Sequence, residues 1–98
     1  MRTEPLSTPP TMHLLMQQYG KIVIPMEIVA RDFFAHLTPE KLRRKLQAGY
    51  IALPIVRMDG SKKTAVGIHV ADLADYLDRQ IEAARRECRQ LTATAGAA

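Results

Sequence analysis

Apolar and polar residues recur along the chain with two periods, which predict helix, strand, helix, helix, hairpin and helix in that order. The first helix is expected from Thr11 to Tyr19, with Thr11 as its N-cap and Gly20 as the left-handed residue after its end. Four of its apolar residues share one face: Met12, Leu15, Met16 and Tyr19. The β-branched run Lys21–Ile24 then predicts a short strand, which Pro25 ends.

Two helices separated by a short turn are predicted after this strand. The first should cover Met26–Phe34, where four apolar residues follow the spacing i, i+3, i+4 and i+7: Met26, Val29, Ala30 and Phe33. Thr38 can cap the second helix, which Pro39 begins. At about 100° per residue, Leu42 and Leu46 lie about 40° apart around it, so both should point inward. Two such helices, the second short and basic, predict a helix-turn-helix.

A β-hairpin and a long helix complete the predicted domain. Asp59-Gly60 is a strong turn signal between two β-rich runs, Ile51–Met58 and Thr64–Val70. Pro54 confines its strand to a sheet edge or a bulge. The last helix should cover about Ala71–Leu91.

These elements together predict an α+β protein with one small winged helix-turn-helix domain, in which the hairpin is the wing. The expected domain spans residues 11–91. A disordered N-terminal tail is expected over residues 1–10, which contain three prolines. A frayed C-terminal tail is expected over residues 92–98.

The distribution of charge indicates what the domain binds, because the basic residues are concentrated in one stretch. The chain has 14 Lys and Arg against 10 Asp and Glu. From Lys41 to Lys63 there are seven bases and one acid, a local net charge of +6. The remaining residues hold seven bases and nine acids, a net charge of −2. A local basic surface indicates a polyanionic partner such as nucleic acid.

The basic stretch supplies the candidate contacts to double-stranded DNA. A solvated charged face would explain a single cluster, but here a helix and a hairpin both concentrate charge. In a winged helix-turn-helix the second helix enters the major groove and the wing lies along the flanking backbone. Helix geometry places Arg44 opposite the two leucines, with Arg43 and Lys45 at the flanks. The candidate DNA contacts are Thr38, Lys41, Arg43, Arg44, Lys45, Gln47, Arg57, Ser61, Lys62 and Lys63.

Several runs of the sequence also resemble a known family, that of the pyocin activator protein PrtN. They are LLMQQYG at Leu14–Gly20, VIP-E--ARDFF at Val23–Phe34, LTPEKLRRKLQAGYIALPIVRM-GS-K at Leu37–Lys63 and G-HVADLADYLD at Gly67–Asp78. The resemblance covers about Leu14–Leu91. It implies a bacterial or prophage-borne DNA-binding transcriptional activator of phage-tail-like bacteriocin (pyocin) or prophage genes. Such a protein would bind promoter or operator DNA in the nucleoid, and RNA polymerase is a candidate partner.

The last predicted helix carries a second candidate interface. Leu77, Ile81, Ala84, Cys88 and Leu91 follow a 4-3-4-3 spacing, which is typical of a coiled-coil seam. The first part of this stripe should pack on its own domain. For the part from Ile81 onward, packing on the same chain and pairing with a partner helix are both open. A homodimer is the favoured interpretation, because a small winged domain has little core left to offer there.

Two other functions agree with the same residues. An excisionase-like architectural factor would bend DNA without recruiting polymerase, and the order of elements is similar in excisionase and MerR-type winged domains. A protein-interaction module would present its cations to an acidic partner. DNA binding that clusters at an attachment site would favour the architectural factor. A protein that is not retained on DNA at low salt would favour the interaction module.

Catalytic, cofactor and metal sites are not expected. The histidines and Cys88 are too scattered for metal-ligand spacing, and Cys88 has no evident base partner. One cysteine excludes an internal disulfide. No apolar run approaches the ~18 residues of a membrane span, and the first residues lack the apolar core of a signal peptide. We therefore expect a soluble, cytoplasmic protein that is not an enzyme.

Overall fold

The structure, a computed structural model, describes residues 10–97. The predicted N-terminal tail, except Pro10, and Ala98 lie outside the described residues. Within residues 10–97 there are four helices and three short strands: α1 (Thr11–Tyr19), β1 (Val23–Pro25), α2 (Met26–Phe33), α3 (Pro39–Gln47), β2 (Val56–Arg57), β3 (Val66–His69) and α4 (Val70–Ala97). The predicted α+β class and the order of a winged helix-turn-helix are confirmed.

The sheet has the order β1-β3-β2, with β3 antiparallel to both neighbours. Ile24 of β1 lies opposite Ile68, and Val56 of β2 lies opposite Gly67. The predicted hairpin pairing is confirmed, but the extent of its first strand was wrong, because residues 51–55 form no strand. Pro54 lies in that stretch and has no N–H to donate, so the pairing begins only after it, on an edge strand.

One side chain from nearly every element meets at the centre of the domain. The largest fully buried residues are Ile24 of β1, Val29 of α2, Leu42 of α3, Ile68 of β3 and Leu73 of α4. Full burial of an aliphatic side chain of this size contributes about 1.5–3 kcal/mol. The core therefore joins both halves of the helix-turn-helix to the sheet that carries the wing.

Helix α1 is held at both of its ends by polar side chains. Its predicted N-cap was wrong: Thr11 is the first helical residue, Pro10 precedes it without a side-chain cap, and the Thr11 hydroxyl donates instead to Asp78 of α4. At the other end, the Tyr19 hydroxyl donates to Asp32 of α2. Gly20 adopts the predicted left-handed conformation, with a φ of 62°.

Helix α4 is longer than the sequence pattern predicted. It extends to Ala97 instead of ending near Leu91. The additional turn and a half contains alanines, which favour helix, and the Thr94 hydroxyl donates to the carbonyl of Gln90 (2.9 Å). Residues 92–97 are thus helical in the structure, and fraying of this end stays a prediction.

Gly67, in the centre of the sheet, has no room for a side chain. A Cβ atom at this position would lie 2.5 Å from the carbonyl oxygen of Ile24 and 2.7 Å from Cγ1 of Val23. We predict that Gly67→Ala lowers the free energy of unfolding by about 1–3 kcal/mol, because the backbone of β1 must move. Gly60→Ala is the matched control, since nothing lies within 4 Å of its Cβ position. Equal denaturation midpoints for the two variants would contradict this account.

Stability should also depend on pH through the contact between α1 and α2. Hydrogen bonds from Arg31 and Tyr19 lower the pKa of Asp32 to about 2, from its ordinary value of 3.8. Burial, followed by the hydrogen bond to Asp32, raises the pKa of Tyr19 to about 12. The ionised carboxylate therefore stabilises the fold fully above pH 4, and this contribution is lost as the pH falls through 2.

We predict that Tyr19→Phe has a lower thermal midpoint than the parent at pH 7, and that the difference shrinks between pH 4 and pH 2. Calorimetry across this range would measure it. Tyr50→Phe is the control, because Tyr50 is 80% exposed. A difference between Tyr19→Phe and the parent that stays constant with pH would exclude the role given to Asp32.

Candidate nucleic-acid interface

The cap of helix α3 and two of its leucines determine which face of the helix points to the core and which points to solvent. The amide of Lys41 donates to Oγ1 of Thr38 (3.1 Å), and Pro39 occupies the first helical turn, as predicted. Leu42 is fully buried and Leu46 is 7% exposed. Gly49 follows the helix with a φ of 82°, a conformation that glycine adopts easily. The opposite face of α3 is therefore turned to solvent.

The polar side chains of α3 divide into an outer face and two flanks. Arg44 lies opposite the leucines, and its side chain is 71% exposed. Arg43 and Gln47 lie on the flank towards the wing, where both line one cleft. Lys45 lies on the other flank, where its Nζ is 5.7 Å from the centre of the Tyr50 ring. Cations are thus present on both sides of the outer face.

The wing and α3 form the two walls of an open cleft of about 420 Å³. Its residues are Glu40, Arg43 and Gln47 from α3, and Arg57, Gly60, Ser61 and Lys62 from the hairpin. Five of these seven are candidate DNA contacts: Arg43, Gln47, Arg57, Ser61 and Lys62. Two separate basic segments of the sequence therefore meet in one concave surface.

The loop at the tip of the wing is held by its own side chains. The amide of Asp59 donates to Oγ1 of Thr64 (2.9 Å), and the amide of Ser61 donates to Oδ1 of Asp59 (2.7 Å). The bond from the Ser61 amide lowers the pKa of Asp59 below its ordinary value. Thr64 is buried although it is polar. These bonds hold Ser61 and Lys62 in place beside α3.

Few of the α3 cations are neutralised by carboxylates of the chain itself. Between described residues, α3 forms one ion pair, from Nε of Arg44 to Oε2 of Glu40 at 4.0 Å. Both side chains are mostly exposed, and an exposed pair of this kind stabilises a protein by less than about 1 kcal/mol. Arg44 can therefore leave Glu40 for another anionic or polar group at little cost.

Comparison with known proteins supports the resemblance seen in the sequence. Residues 11–84 match the family described as Pyocin activator protein PrtN. The chain belongs to this family. The matched segment runs from the first residue of α1 into α4, and it includes α3 and the wing. No curated protein and no solved structure matches the chain. A pyocin activator has a regulatory role, which is not an enzymatic one.

In this PrtN-family protein the remaining predicted contacts do not line the cleft. Arg44 and Lys63 are exposed outside it, and Lys41 and Lys45 lie on the flank of α3 that faces away from the wing. Thr38 is exposed, but its oxygen already accepts the capping bond. Within residues 10–97 no helix combines the length and the apolar character needed to cross a membrane.

The sequence pattern missed two residues of this surface. Glu40 was not among the candidate DNA contacts, yet it lines the cleft. Thr64 was placed in the second strand of the hairpin, whereas it lies before β3 and holds the wing loop. The spacing of three shows that Glu40 and Arg43 are neighbours on a helix, but it does not show that the wing lies beside them.

The cap of α3 should contribute measurably to stability. Thr38→Ala removes the acceptor for the Lys41 amide, and we predict a loss of about 0.5–2 kcal/mol in the free energy of unfolding. Thr38→Ser keeps an acceptor oxygen and should recover most of this loss. Urea denaturation of both variants provides the measurement. If serine proved as damaging as alanine, the capping role would be wrong.

Proposed function

We propose that this protein binds double-stranded DNA in a sequence-dependent way and thereby activates transcription of pyocin or prophage genes. The family supports the activator role. The observation that carries DNA binding is the concave basic surface, in which α3 and the wing present Arg43, Gln47, Arg57 and Lys62 together. As an activator, the bound protein would work on the bacterial nucleoid, with RNA polymerase as its second partner.

The shape of α3 suits the major groove of DNA. A helix with its side chains is about 10–12 Å across, and the groove is about 12 Å wide. The outer face of α3, with Arg44 at its centre, would meet the base edges, and Gln47 lies beside it. Arginine pairs with guanine and glutamine with adenine through two hydrogen bonds each. These two residues are therefore the proposed source of sequence preference.

Glu40 adds a third group to the reading face. A glutamate can accept a hydrogen bond from the amino group of cytosine, and it repels phosphate. Because Glu40 and Arg44 are one helical turn apart and only weakly paired, both can turn towards bases. The presence of one acidic and one basic side chain on the same face favours sequence-dependent binding over simple attraction to a polyanion.

The flanks of α3 and the wing would meet the phosphates. Lys41 and Lys45 lie on one flank of the helix and Arg43 on the other, which matches the two backbones that border a major groove. On the wing, the proposed phosphate contacts are Arg57, Ser61, Lys62 and Lys63. The loop bonds of Asp59 and Thr64 are already formed, so the wing has little conformational entropy to lose on binding.

The number of phosphate contacts determines how affinity depends on salt. If five or six of these cations neutralise phosphates, log K should fall with log salt concentration at a slope of about −4.5 to −5.5. A specific contact from Arg44 should contribute about 1–3 kcal/mol of discrimination between base pairs. Under this proposal, replacing Arg44 should reduce discrimination between base pairs, whereas replacing Lys62 should reduce the affinity for all DNA alike.

Selection of bound sequences from random duplexes at a stated salt concentration would identify the preferred site. On that site, Arg44→Ala should weaken binding about 5- to 150-fold, with a smaller effect on bulk DNA. Lys62→Ala should weaken both alike and reduce the salt slope by about one. Arg86→Ala, which removes an exposed arginine of α4, is the matched control and should change neither.

Three outcomes would contradict the proposal. Selection that enriches no sequence would remove sequence dependence, and equal losses on both DNAs for Arg44→Ala would remove its reading role. Specific binding with a strong DNA bend and no change in transcript level from a promoter carrying the site would identify an architectural factor instead of an activator.

A further inference from the structure

The apolar stripe of α4 continues beyond the domain that it completes. Leu73 is fully buried and Leu77 is half-buried, but Ile81 is 42% exposed and Leu91 is 63% exposed. Residues 78–96 are all exposed, which corresponds to about 28 Å of helix. We call the stripe Leu77, Ile81, Ala84, Cys88 and Leu91 the α4 seam. Its outer part has no covering element among residues 10–97.

The α4 seam is continuous with apolar surface on α1. Ile81 and Leu14 line the same open cleft between α1 and α4, with a volume of about 600 Å³. Leu14 is itself 44% exposed. Pro10 and the polar residues Thr11, Asp78, Glu82 and Arg85 also line this cleft. The exposed apolar surface therefore widens at the end of the seam nearest the domain.

We propose that a second copy of this chain binds here, with its α4 antiparallel to the first. Two heptads fall short of the three to four that sustain a coiled coil. A stable interface also buries about 800 Å² on each partner. In a parallel pair the tips of the two helices would meet only each other. In an antiparallel pair each tip lies against the domain end of its partner, where Leu14 and Leu77 supply the additional apolar area.

Charge favours the same orientation. Residues flanking the seam include Asp78 and Arg85 on one side and Gln80 and Glu87 on the other. When Ile81 is opposite Ala84 of the second copy in an antiparallel pair, Asp78 lies beside Arg85 of that copy, twice per dimer. Gln80 then lies beside Glu87 of that copy. A parallel pair brings Arg85 beside Gln80 and gains no pair of opposite charges.

The ion pair between Arg89 and Glu82 lies along one edge of this surface. Their side chains are joined at 3.1 Å along the same helix, two turns apart, and Glu82 also lines the cleft that Leu14 and Ile81 share. Binding of a second copy does not depend on the proposed DNA binding, because it uses α4 and α1, whereas the proposed DNA surface uses α3 and the wing. The two proposals can therefore fail separately.

The mass of the full chain in solution, measured by sedimentation equilibrium over a range of concentrations, tests the interface. The dimer is expected, and the double variant Ile81→Glu with Leu91→Glu should raise its dissociation constant at least about 100-fold. Both positions are exposed, so the variant should keep the parent's helix content, and it should keep the parent's thermal midpoint at concentrations where the parent is monomeric. Arg86→Glu, on the opposite face of α4, is the matched control and should remain dimeric.

The orientation has its own test, because Cys88 is in the seam and is the single cysteine of the chain. A parallel pair would place Cys88 against Cys88 of the second copy, so mild oxidation would link the chains covalently. The antiparallel pair places Cys88 opposite Leu77 and should give no link. Arg85→Asp should weaken the dimer and Arg85→Lys, which keeps the charge, should not, whereas Asp78 is left unchanged because it accepts the hydrogen bond from Thr11.

A monomer at every concentration would overturn the proposal, as would a dimer that survives both glutamates. Rapid linkage through Cys88 would exclude the antiparallel orientation. If the parent were monomeric and bound only a different protein through this surface, the proposal that a second copy of this chain binds there would be wrong.

Discussion

Burial of Leu42 and Leu46 is the interaction on which the proposed function depends. The two side chains hold α3 against the core and so select which of its faces meets solvent. Because residues on a helix are fixed relative to one another, this single constraint determines the position of Arg44, Gln47 and the flanking cations. The wing contributes to the same surface only because β3 joins it to the core beside α3.

Much of the fold could be predicted from the sequence because it depends on local chemistry. The cap at Thr38, the glycine after α1 and the leucine spacing of α3 each act within a few residues, and each matches the structure. One error arose where distant parts of the chain meet. Thr11 was expected to cap its own helix, but its hydroxyl donates a hydrogen bond to Asp78, which is far away in sequence. The pairing of β1 with β3 likewise leaves no local signal.

The candidate site shows the same division between local and distant information. Charge counting identified both basic segments, and their union in one cleft follows from the winged fold. Spacing alone could not show that Lys45 faces Tyr50 and that Glu40 lines the cleft, because both facts depend on where the wing and the turn after α3 lie. The basic stretch of the sequence thus forms two cationic flanks of α3 and an outer face that carries both an acidic and a basic side chain.

The surface that contacts DNA is the central claim, and amide chemical shifts report it residue by residue. Titration of the ¹⁵N-labelled protein with its selected duplex should shift the amides of α3 and of residues 59–63 most strongly. The amides of residues 86–96 should shift little. Shifts concentrated in α4, or spread evenly over the domain, would show that the outer face of α3 is not where the polyanion binds.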